Sequence, residues 1–234
     1  MSARCDRMTV GIPDATRPEL RGKEGTMLDL RLLIALLLAT VCGVSFLALA
    51  DEAHEQEVFA ADYAVQHTVQ AWRQPMLERP IRMVSDLGSG RTLVPLCVAV
   101  VVLLWWRGYR GALLVPLLAS GSVVIEGGAK WLVGRHRPHG DAYGFPSGHV
   151  LGIVIVFGLL LYIVWHVTGR GRLRWVASGT SAVIVVAVAF SRIYLNAHWL
   201  SDVVGAGVAG LTFVCGAIAA LGDRLTARTS AGSA

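Results

Sequence analysis

Three short segments, residues 130–138, 145–149 and 191–202, concentrate most of the side chains that could do chemistry. In the first segment, Lys130 and Arg137 are seven residues apart, so one helix face would carry both if the helix continued. Two cations on one face repel each other unless an anion lies between them, and Arg offers a planar fork that suits phosphate oxygens. The segment therefore predicts an anion site. The alternative is that Lys130 binds no anion and only extends its ammonium group to the membrane surface.

The second segment, Ser147-Gly148-His149, opens an apolar block. Ser147 is suited to cap a helix N-terminus, and Gly148 allows a ligand to approach the backbone closely. The free N–H groups of a first helical turn, together with the helix dipole, favour an anion. His149 would lie beside that anion, where it could give a proton to a departing oxygen.

The third segment places His198 four residues before Asp202, which makes them neighbours on one helix face if both are helical. The carboxylate would fix the tautomer of the imidazole and leave the other ring nitrogen free to attack. The alternative is a polar pair at the membrane interface, but ionisable residues at membrane depth are usually functional. Arg192 is a further cation. Together the three segments supply cations and backbone donors for the phosphate oxygens, an oriented nucleophile and a general acid, which are the groups that phosphoryl transfer needs. The acidic residues near them are isolated, so we expect catalysis without a metal ion or another cofactor.

The composition excludes an ordinary soluble domain. Hydrophobic residues make up 54% and charged residues only 16% of the 234 residues, whereas soluble domains are about one quarter charged. The net charge of +5 comes from basic residues that lie between apolar blocks, which argues against a nucleic-acid partner. The four cysteines form no CxxC pair, so neither a zinc site nor a disulfide framework is expected.

The apolar residues fall in six blocks long enough to cross a bilayer as helices. These blocks are residues 32–50, 91–106, 111–133, 149–167, 175–194 and 200–221. We therefore predict an all-α integral membrane bundle of six transmembrane helices. The predicted domains are a disordered cytoplasmic tail (1–31), the membrane domain (32–222) and a cytoplasmic C-terminal tail (223–234). The translation start could also be Met8 or Met27, and the first block could be a cleaved signal peptide, although it is long for one.

The segment between the first two blocks, residues 51–90, is polar with an apolar stripe. The stripe has helical spacing and comprises Val58, Ala61, Val65, Val69 and Trp72. This pattern predicts an amphipathic helix that lies on the membrane surface or against the bundle. A solvated helical hairpin remains the alternative.

The distribution of Arg and Lys predicts the orientation of the six helices. Both tails and the second and fourth connectors are rich in Arg, so the N- and C-termini are expected in the cytoplasm. The third and fifth connectors, which hold the chemical segments, then face outward. Lys130, Arg135 and Arg137 break the charge rule there, and a bound anion would explain them.

The three segments resemble the signature of the type 2 phosphatidic acid phosphatase superfamily, which reads K-x6-R-P, then P-S-G-H, then S-R-x5-H-x3-D. Every fixed position matches: Lys130, Arg137, Pro138, Pro146, Ser147, Gly148, His149, Ser191, Arg192, His198 and Asp202. Vanadium haloperoxidases share the signature but are soluble, so the apolar blocks favour a membrane-bound member of the superfamily, which we expect to be bacterial.

The resemblance implies a role for each matching residue. His198 is expected to attack phosphorus and form a phosphohistidine, Asp202 to orient it, and His149 to protonate the leaving oxygen. The expected phosphate ligands are Lys130, Arg137, Ser147, Gly148 and Arg192. Weaker candidates for substrate contact or for lining the site are Arg135, His136, His139, Asp141, Tyr143 and Asn196. Glu126 is expected to pair with Lys130 four residues later.

The implied function is a membrane lipid phosphate phosphatase in the bacterial inner membrane, with its active site on the periplasmic face and with lipid phosphate and the bilayer as partners. Undecaprenyl pyrophosphate is the first substrate hypothesis, followed by phosphatidylglycerophosphate, phosphatidic acid and lipid A phosphates. A phosphotransferase and a non-catalytic lipid-binding protein are the alternatives from other classes. The sequence predicts no oligomeric state.

Overall fold

The computed structural model describes residues 19–168 and 171–227, with side chains from residue 30 onward. Within these ranges every regular element is a helix, as the sequence predicts. The elements are α1 (Glu19–His54), α2 (Ala60–Ala71), α3 (Pro75–Asp86), α4 (Gly90–Trp106), a 3-10 turn (Arg110–Leu113), α5 (Leu114–Val133), α6 (Gly148–Val167), α7 (Arg172–Tyr194) and α8 (Leu200–Leu225). The chain divides into one unit up to Ile34 and a second unit from Ala35 onward, and the contacts below belong to the second.

Five segments in the described ranges are long and apolar enough to cross a membrane. They are Leu30–His54, Arg110–Val133, Gly148–Val167, Arg172–Tyr194 and Leu200–Leu225. The block predicted at 91–106 corresponds to α4, whose 17 residues are short for a span. α3 and α4 together pass as one span that is bent by 41°. The chain is therefore a multi-span membrane protein, with five spans in the part that the structure describes, or six if the bent pair counts as one.

The ends of the chain differ in part from the predicted tails. Residues 19–31 belong to α1, although they were expected in a disordered tail, because extending an existing helix costs much less than starting one. At the other end, α8 continues to Leu225, three residues into the predicted C-terminal tail. Residues 1–18 and 228–234 lie outside the described residues.

α6 lies at the centre of the bundle and packs against α4, α5, α7 and α8. Its sequence is apolar on all sides, which is typical of a helix surrounded by other helices. Leu151, Ile153, Ile155, Leu159 and Ile163 are completely buried. The N-terminal end of this helix carries the Ser-Gly-His segment, so the best-packed helix positions that segment.

The segment 51–90 contains two helices, α2 and α3, rather than one amphipathic helix. The predicted apolar stripe is only partly buried: Val69 is buried and Val65 half-buried, whereas Trp72 is exposed. Two polar residues of α2, Asp62 and Gln66, are buried beside them. The inner face of α2 is therefore mixed, and its polar residues need hydrogen-bond partners in the bundle.

The partners of Gln66, and of Gln70 one turn later, lie at the end of α7 and in the connector that follows it, residues 195–199. Gln66 donates a hydrogen bond to Asn196, and the side-chain amide of Gln70 donates to the carbonyl oxygens of Ile193 and Tyr194 at 3.0 and 3.1 Å. α2 therefore packs through polar contacts on the part of the chain that leads to His198.

The Arg-rich connectors lie at the opposite end of the bundle from the three chemical segments. A Cβ added at Gly111 would overlap the carbonyl oxygen of Arg224, and the Gly111 N–H donates to the Ala227 carbonyl at 3.4 Å. At this end the 3-10 turn after α4 therefore meets the C-terminal end of α8. The close approach requires glycine at position 111.

Candidate active site

The three chemical segments meet at one end of the bundle. The Ser147 N–H donates to the carbonyl oxygen of Asp202 at 3.2 Å, and the Gly144 N–H donates to the carbonyl oxygen of Arg135 at 2.7 Å. A Cβ added at Gly144 would lie 3.2 Å from Cγ of Arg137 and 3.3 Å from Oδ2 of Asp202. The connectors after α5 and α7 therefore form one site with the start of α6.

Lys130 and Arg137 do not share a helix face, contrary to the prediction. α5 ends at Val133 because Gly134 adopts a left-handed conformation with φ of 62°. Arg137 consequently lies in the connector, where its N–H donates to the Asp141 carbonyl at 2.7 Å. Lys130 remains in the last turn of α5 and forms the expected pair with Glu126, with 2.5 Å between Nζ and Oε1.

The carboxylate of Glu126 lies against the first residue of α6. A Cβ added at Gly148 would overlap all three atoms of this carboxylate group. Lys130 and Glu126 therefore extend from α5 to the helix N-terminus where the sequence predicts a phosphate. An acid at this position competes with any anion that approaches the same backbone N–H groups.

Several buried donors of the predicted phosphate ligands have no partner within the described part of the chain. Ser147 is the N-cap residue of α6, as predicted, but its Oγ makes no capping hydrogen bond. This hydroxyl, Nε of Arg137 and Nε of Arg192 are all buried and unpaired. Unpaired buried donors are costly, and a phosphate bound among them would satisfy all three.

Arg192 occupies the last turn of α7, where the sequence places it. Its Nη1 donates to Oγ of Ser85 at 2.7 Å, and Ser85 on α3 is only 1% exposed. Ser85 therefore fixes the direction of this guanidinium. The sequence reasoning did not identify Ser85, because nothing in the spacing links it to a residue 107 positions away.

His198 lies just before α8 and not on it, so the prediction that His198 and Asp202 share a helix face is wrong in this detail. Trp199 is the N-cap residue of α8, and its N–H donates to Oδ2 of Asp202 at 2.9 Å. Nδ1 of His198 is 3.4 Å from the same Oδ2, which is an ion-pair contact without hydrogen-bond geometry. His198 and Asp202 are nevertheless in contact, as their spacing predicts.

The environment of His198 favours the neutral imidazole. The side chain is 2% exposed, and this burial lowers the pKa of His198 below its usual value, while Asp202 opposes the shift. The guanidinium groups of Arg192 and Arg137 lower the pKa of His198 further. A neutral ring whose Nδ1 faces a carboxylate presents Nε2 as a free nucleophile.

Arg135 is not available for contact with a substrate headgroup, contrary to the sequence interpretation. Its side chain is 1% exposed, and Nη1 donates to Oδ1 of Asp202 at 2.9 Å and to Oγ of Ser201 at 2.6 Å. Nη2 is 3.3 Å from Oδ2 of Asp62. Both Nη atoms are thus committed to protein acceptors, while Nε is buried and has no hydrogen-bond partner among the described residues. Asp62 is a second residue that the sequence reasoning did not identify.

The other candidates for substrate contact divide into engaged and exposed residues. Asn196 accepts a hydrogen bond from Gln66, so its side-chain oxygen is engaged within the protein. The exposed residues are His136, His139, Asp141 and Tyr143. His136 contacts Gln56, His139 lies 3.3 Å from Asp141, and Tyr143 is 54% exposed. Within the described residues, no group of three or more His, Cys, Asp or Glu side chains could hold a metal ion.

An apolar groove of about 570 Å³ runs beside the site between α1 and α5. Its apolar lining includes Phe46, Leu47, Val124, Ile125 and Leu132. Ile125 and Leu132 belong to the same two turns of α5 as Glu126 and Lys130. A hydrocarbon chain in this groove would lie next to the polar residues at the end of the bundle.

The chain is similar to known phosphatases over most of its length. A family model described as the PAP2 superfamily matches residues 139–225, which contain the second and third segments. Phosphatidylglycerophosphatase B of Bacillus subtilis is 29% identical over 71% of this chain and 86% of its own. A putative undecaprenyl-diphosphatase of Escherichia coli, YbjG, is 30% identical over 51% of this chain and 62% of its own.

A solved structure supports the same assignment. The crystal structure of a transmembrane PAP2-type phosphatidylglycerolphosphate phosphatase from Bacillus subtilis matches with a TM-score of 0.67 at 27% identity. The match covers 75% of this chain and 92% of that one. Together with the convergence of the three segments, these similarities show that the chain carries a PAP2 superfamily domain over residues 139–225 and is homologous to membrane PAP2 phosphatases.

Proposed function

We propose that this protein removes phosphate from a membrane lipid through a phosphohistidine on His198, without a metal ion. The observation that carries the proposal is the set of unpaired buried donors, Ser147 Oγ, Arg137 Nε and Arg192 Nε, beside a buried neutral imidazole. A phosphoryl group is the ligand that would satisfy these donors and react with the ring.

The reaction would proceed in two displacements. Nε2 of His198 attacks phosphorus, the bond from phosphorus to the lipid oxygen breaks, and His149 gives that oxygen its proton. Water then attacks the phosphohistidine, His149 accepts a proton from the water, and inorganic phosphate leaves with a neutral His198 regenerated. Lys130, Arg137, Arg192 and the N-terminus of α6 would stabilise the charge on the equatorial oxygens in both steps.

Phosphatidylglycerophosphate is the substrate that the observations favour. The similarity to the phosphatidylglycerophosphatase of Bacillus subtilis covers more of the chain than that to the putative undecaprenyl-diphosphatase. A pyrophosphate would also need cations for its second phosphate, and Arg135, which the sequence offered as a substrate contact, pairs with Asp62 and Asp202. The groove between α1 and α5 suits a lipid chain of either kind.

Undecaprenyl pyrophosphate, the first choice from the sequence, remains the second candidate because of the similarity to YbjG. The setting we propose for both substrates is the outer leaflet of a bacterial inner membrane. The exposed His136 and His139 are the remaining side chains that could meet a second phosphate.

The test is release of inorganic phosphate by the detergent-purified protein, in the presence of a chelator, from a panel of lipid phosphates. The panel contains phosphatidylglycerophosphate, undecaprenyl pyrophosphate, phosphatidic acid and a lipid A phosphate. We expect the highest kcat/KM with phosphatidylglycerophosphate, and a loss of more than a thousandfold in His198→Ala. His166→Ala, which changes a histidine at the far end of α6, is the matched control and should keep full activity. An active His198→Ala variant would overturn the mechanism, and inactivation by the chelator would overturn its metal independence.

A further inference from the structure

A buried triad of charged side chains lies behind the proposed nucleophile. It consists of Asp62, Arg135 and Asp202, and none of them is more than 1% exposed. Asp62 lies on α2, Arg135 in the connector after α5, and Asp202 in the first turn of α8. Arg135 and Asp202 belong to the three sequence segments that define the active site, and Asp62 lies outside them.

The triad divides the two oxygens of Asp202 between different partners. Oδ1 accepts a hydrogen bond from Nη1 of Arg135 at 2.9 Å. Oδ2 accepts from the N–H of Trp199 at 2.9 Å and lies 3.4 Å from Nδ1 of His198. Arg135 therefore prevents the carboxylate from rotating and keeps Oδ2 directed toward the imidazole.

Asp62 holds both the guanidinium and the helix turn that carries Asp202. Its Oδ1 accepts from the N–H of Ser201 at 2.8 Å, and its Oδ2 accepts from Oγ of Ser201 at 2.6 Å. Oδ2 also lies 3.3 Å from Nη2 of Arg135. Since Ser201 immediately precedes Asp202, α2 fixes the position of Asp202 through two routes.

The charges of the triad add to a single negative charge, because two carboxylates share one guanidinium. A charge in this buried position has a strong effect on a neighbouring imidazole, since little water is present to screen it. The negative charge stabilises the positive charge that develops on His198 when it becomes phosphorylated.

We propose that Asp62 and Arg135 are positioning residues of the phosphatase, which hold Asp202 in the orientation that directs His198 at phosphorus. This inference rests on the proposed role of His198 as nucleophile. It makes α2, a helix outside the membrane-spanning elements, part of the catalytic machinery. Neither residue touches the phosphate, so both act through Asp202.

The pH dependence of the reaction reports on this arrangement. The other charged or titratable groups that act on His198 are Arg192 at the end of α7, Arg137 in the connector after α5, and His149 at the start of α6. All three remain in place when Asp62 is changed. A shift of the acidic limb of kcat/KM in an Asp62 variant therefore reports on the triad.

The decisive variant is Asp62→Asn, which keeps the shape of the side chain and removes its charge. We expect kcat to fall about tenfold with KM within about twofold of the original value, because the phosphate ligands are unchanged. We also expect the acidic limb of kcat/KM to move to lower pH, because His198 loses a negative charge that favours its protonation. Gln70→Leu is the matched control: it removes hydrogen bonds from the same face of α2 but no charge, and its acidic limb should not move.

The Arg135 variants test the other half of the triad. Arg135→Gln leaves two buried carboxylates without a cation, and we expect it to lose at least a hundredfold in kcat or to fail to fold. Arg135→Lys keeps the charge but cannot bridge both carboxylates, so it should regain part of the stability and part of kcat. An Asp62→Asn variant with unchanged kcat, or with reduced kcat and an unmoved acidic limb, would overturn the inference whatever the Arg135 variants do.

Phosphoenzyme trapping separates a failure of this inference from a failure of the proposed function. Substrate labelled on phosphorus is mixed with the protein and quenched in alkali, in which phosphohistidine is stable. If the unmodified protein forms no acid-labile phosphoenzyme, the proposed mechanism fails. If it forms one and Asp62→Asn forms it at the same rate, only the positioning role fails.

Discussion

At the scale of single residues, the site depends on side chains that are buried and still chemically unsatisfied. His198 is 2% exposed, and its Nδ1 has no hydrogen bond to any residue that the structure describes, although Asp202 is close to it. Such hydrogen bonds often tighten only when the substrate binds. The pair is therefore arranged for the charge that develops during the reaction rather than for the resting state.

The burial of His198 leads to a prediction about pH. A histidine with a lowered pKa keeps its neutral form as the pH falls, so the nucleophile stays active in mild acid. We expect the acidic limb of kcat/KM to lie below pH 6.5, the usual value for histidine. The measurement is a pH profile of kcat/KM with a soluble short-chain substrate. A limb above pH 6.5 would mean that Asp202 outweighs burial and the arginines.

Glu126 provides a second prediction at this scale. Its carboxylate pairs with Lys130 and lies against Gly148, where it repels an incoming phosphate. Glu126→Gln should therefore lower the inhibition constant of inorganic phosphate about fivefold, a modest effect because the side chain is partly solvated. The measurement is competitive inhibition of lipid hydrolysis by phosphate.

Glu78→Gln is the matched control for this experiment. Glu78 forms an ion pair with Arg73 at 2.7 Å and has a similar exposure, but it lies on α3 and has no contact with Gly148. The inhibition constant of inorganic phosphate should not change in Glu78→Gln. Weaker inhibition in Glu126→Gln would instead indicate that Glu126 is needed to hold Lys130 in position for the phosphate.

Sequence spacing predicted the short-range pairs of this site and missed the long-range ones. His198 with Asp202, and Glu126 with Lys130, are four residues apart, and both pairs are in contact. Arg135 and Asp62 are separated by 73 residues. They meet because α2 packs against α8 and the connector after α5 bonds to the first turn of α8. Arg135 looked like a surface cation because a sequence does not show which charges will be buried.

At the scale of elements, the start of α6 is the most constrained point of the site. Ser147 is the N-cap residue of the helix, and a Cβ added at Gly148 would overlap the Glu126 carboxylate. The sequence predicted this helix start because a capping residue followed by glycine precedes a long apolar run. It failed to predict the end of α5, where the left-handed Gly134 separates Lys130 from Arg137.

Gly148→Ala should therefore damage catalysis more than folding. The new Cβ would force the Glu126 carboxylate or the first turn of α6 to move, and a displacement of about 1 Å can cost about a hundredfold in rate. The measurement is kcat together with the thermal unfolding midpoint in detergent. Gly207→Ala is the control, since a Cβ there meets nothing within 4 Å and should leave kcat unchanged. Full activity in Gly148→Ala would contradict the close contact with Glu126.

At the scale of the whole molecule, the helix order separates the chemical end from the Arg-rich end. Gly111 meets the C-terminal end of α8 at the Arg-rich end, while Ser147 meets Asp202 at the other. The alternation of spans predicted this separation from the apolar blocks alone. The bent pair α3 and α4 was harder to predict, because α4 has only 17 residues and depends on α3 to complete the span.

Connectors rich in Arg and Lys usually face the cytoplasm, so this separation predicts the orientation of the protein in the membrane. In a chain without its native cysteines, His139→Cys would place a thiol on an exposed residue at the chemical end, and Arg107→Cys would place one on an exposed residue at the Arg-rich end. We expect a membrane-impermeant maleimide to label the His139→Cys variant in spheroplasts, because the site should face outward. The Arg107→Cys variant should react only after the membrane is permeabilised. The reverse pattern would mean that the protein takes its substrate from the cytoplasmic leaflet, and that Lys130 and Arg137 follow the ordinary charge rule instead of marking a phosphate site.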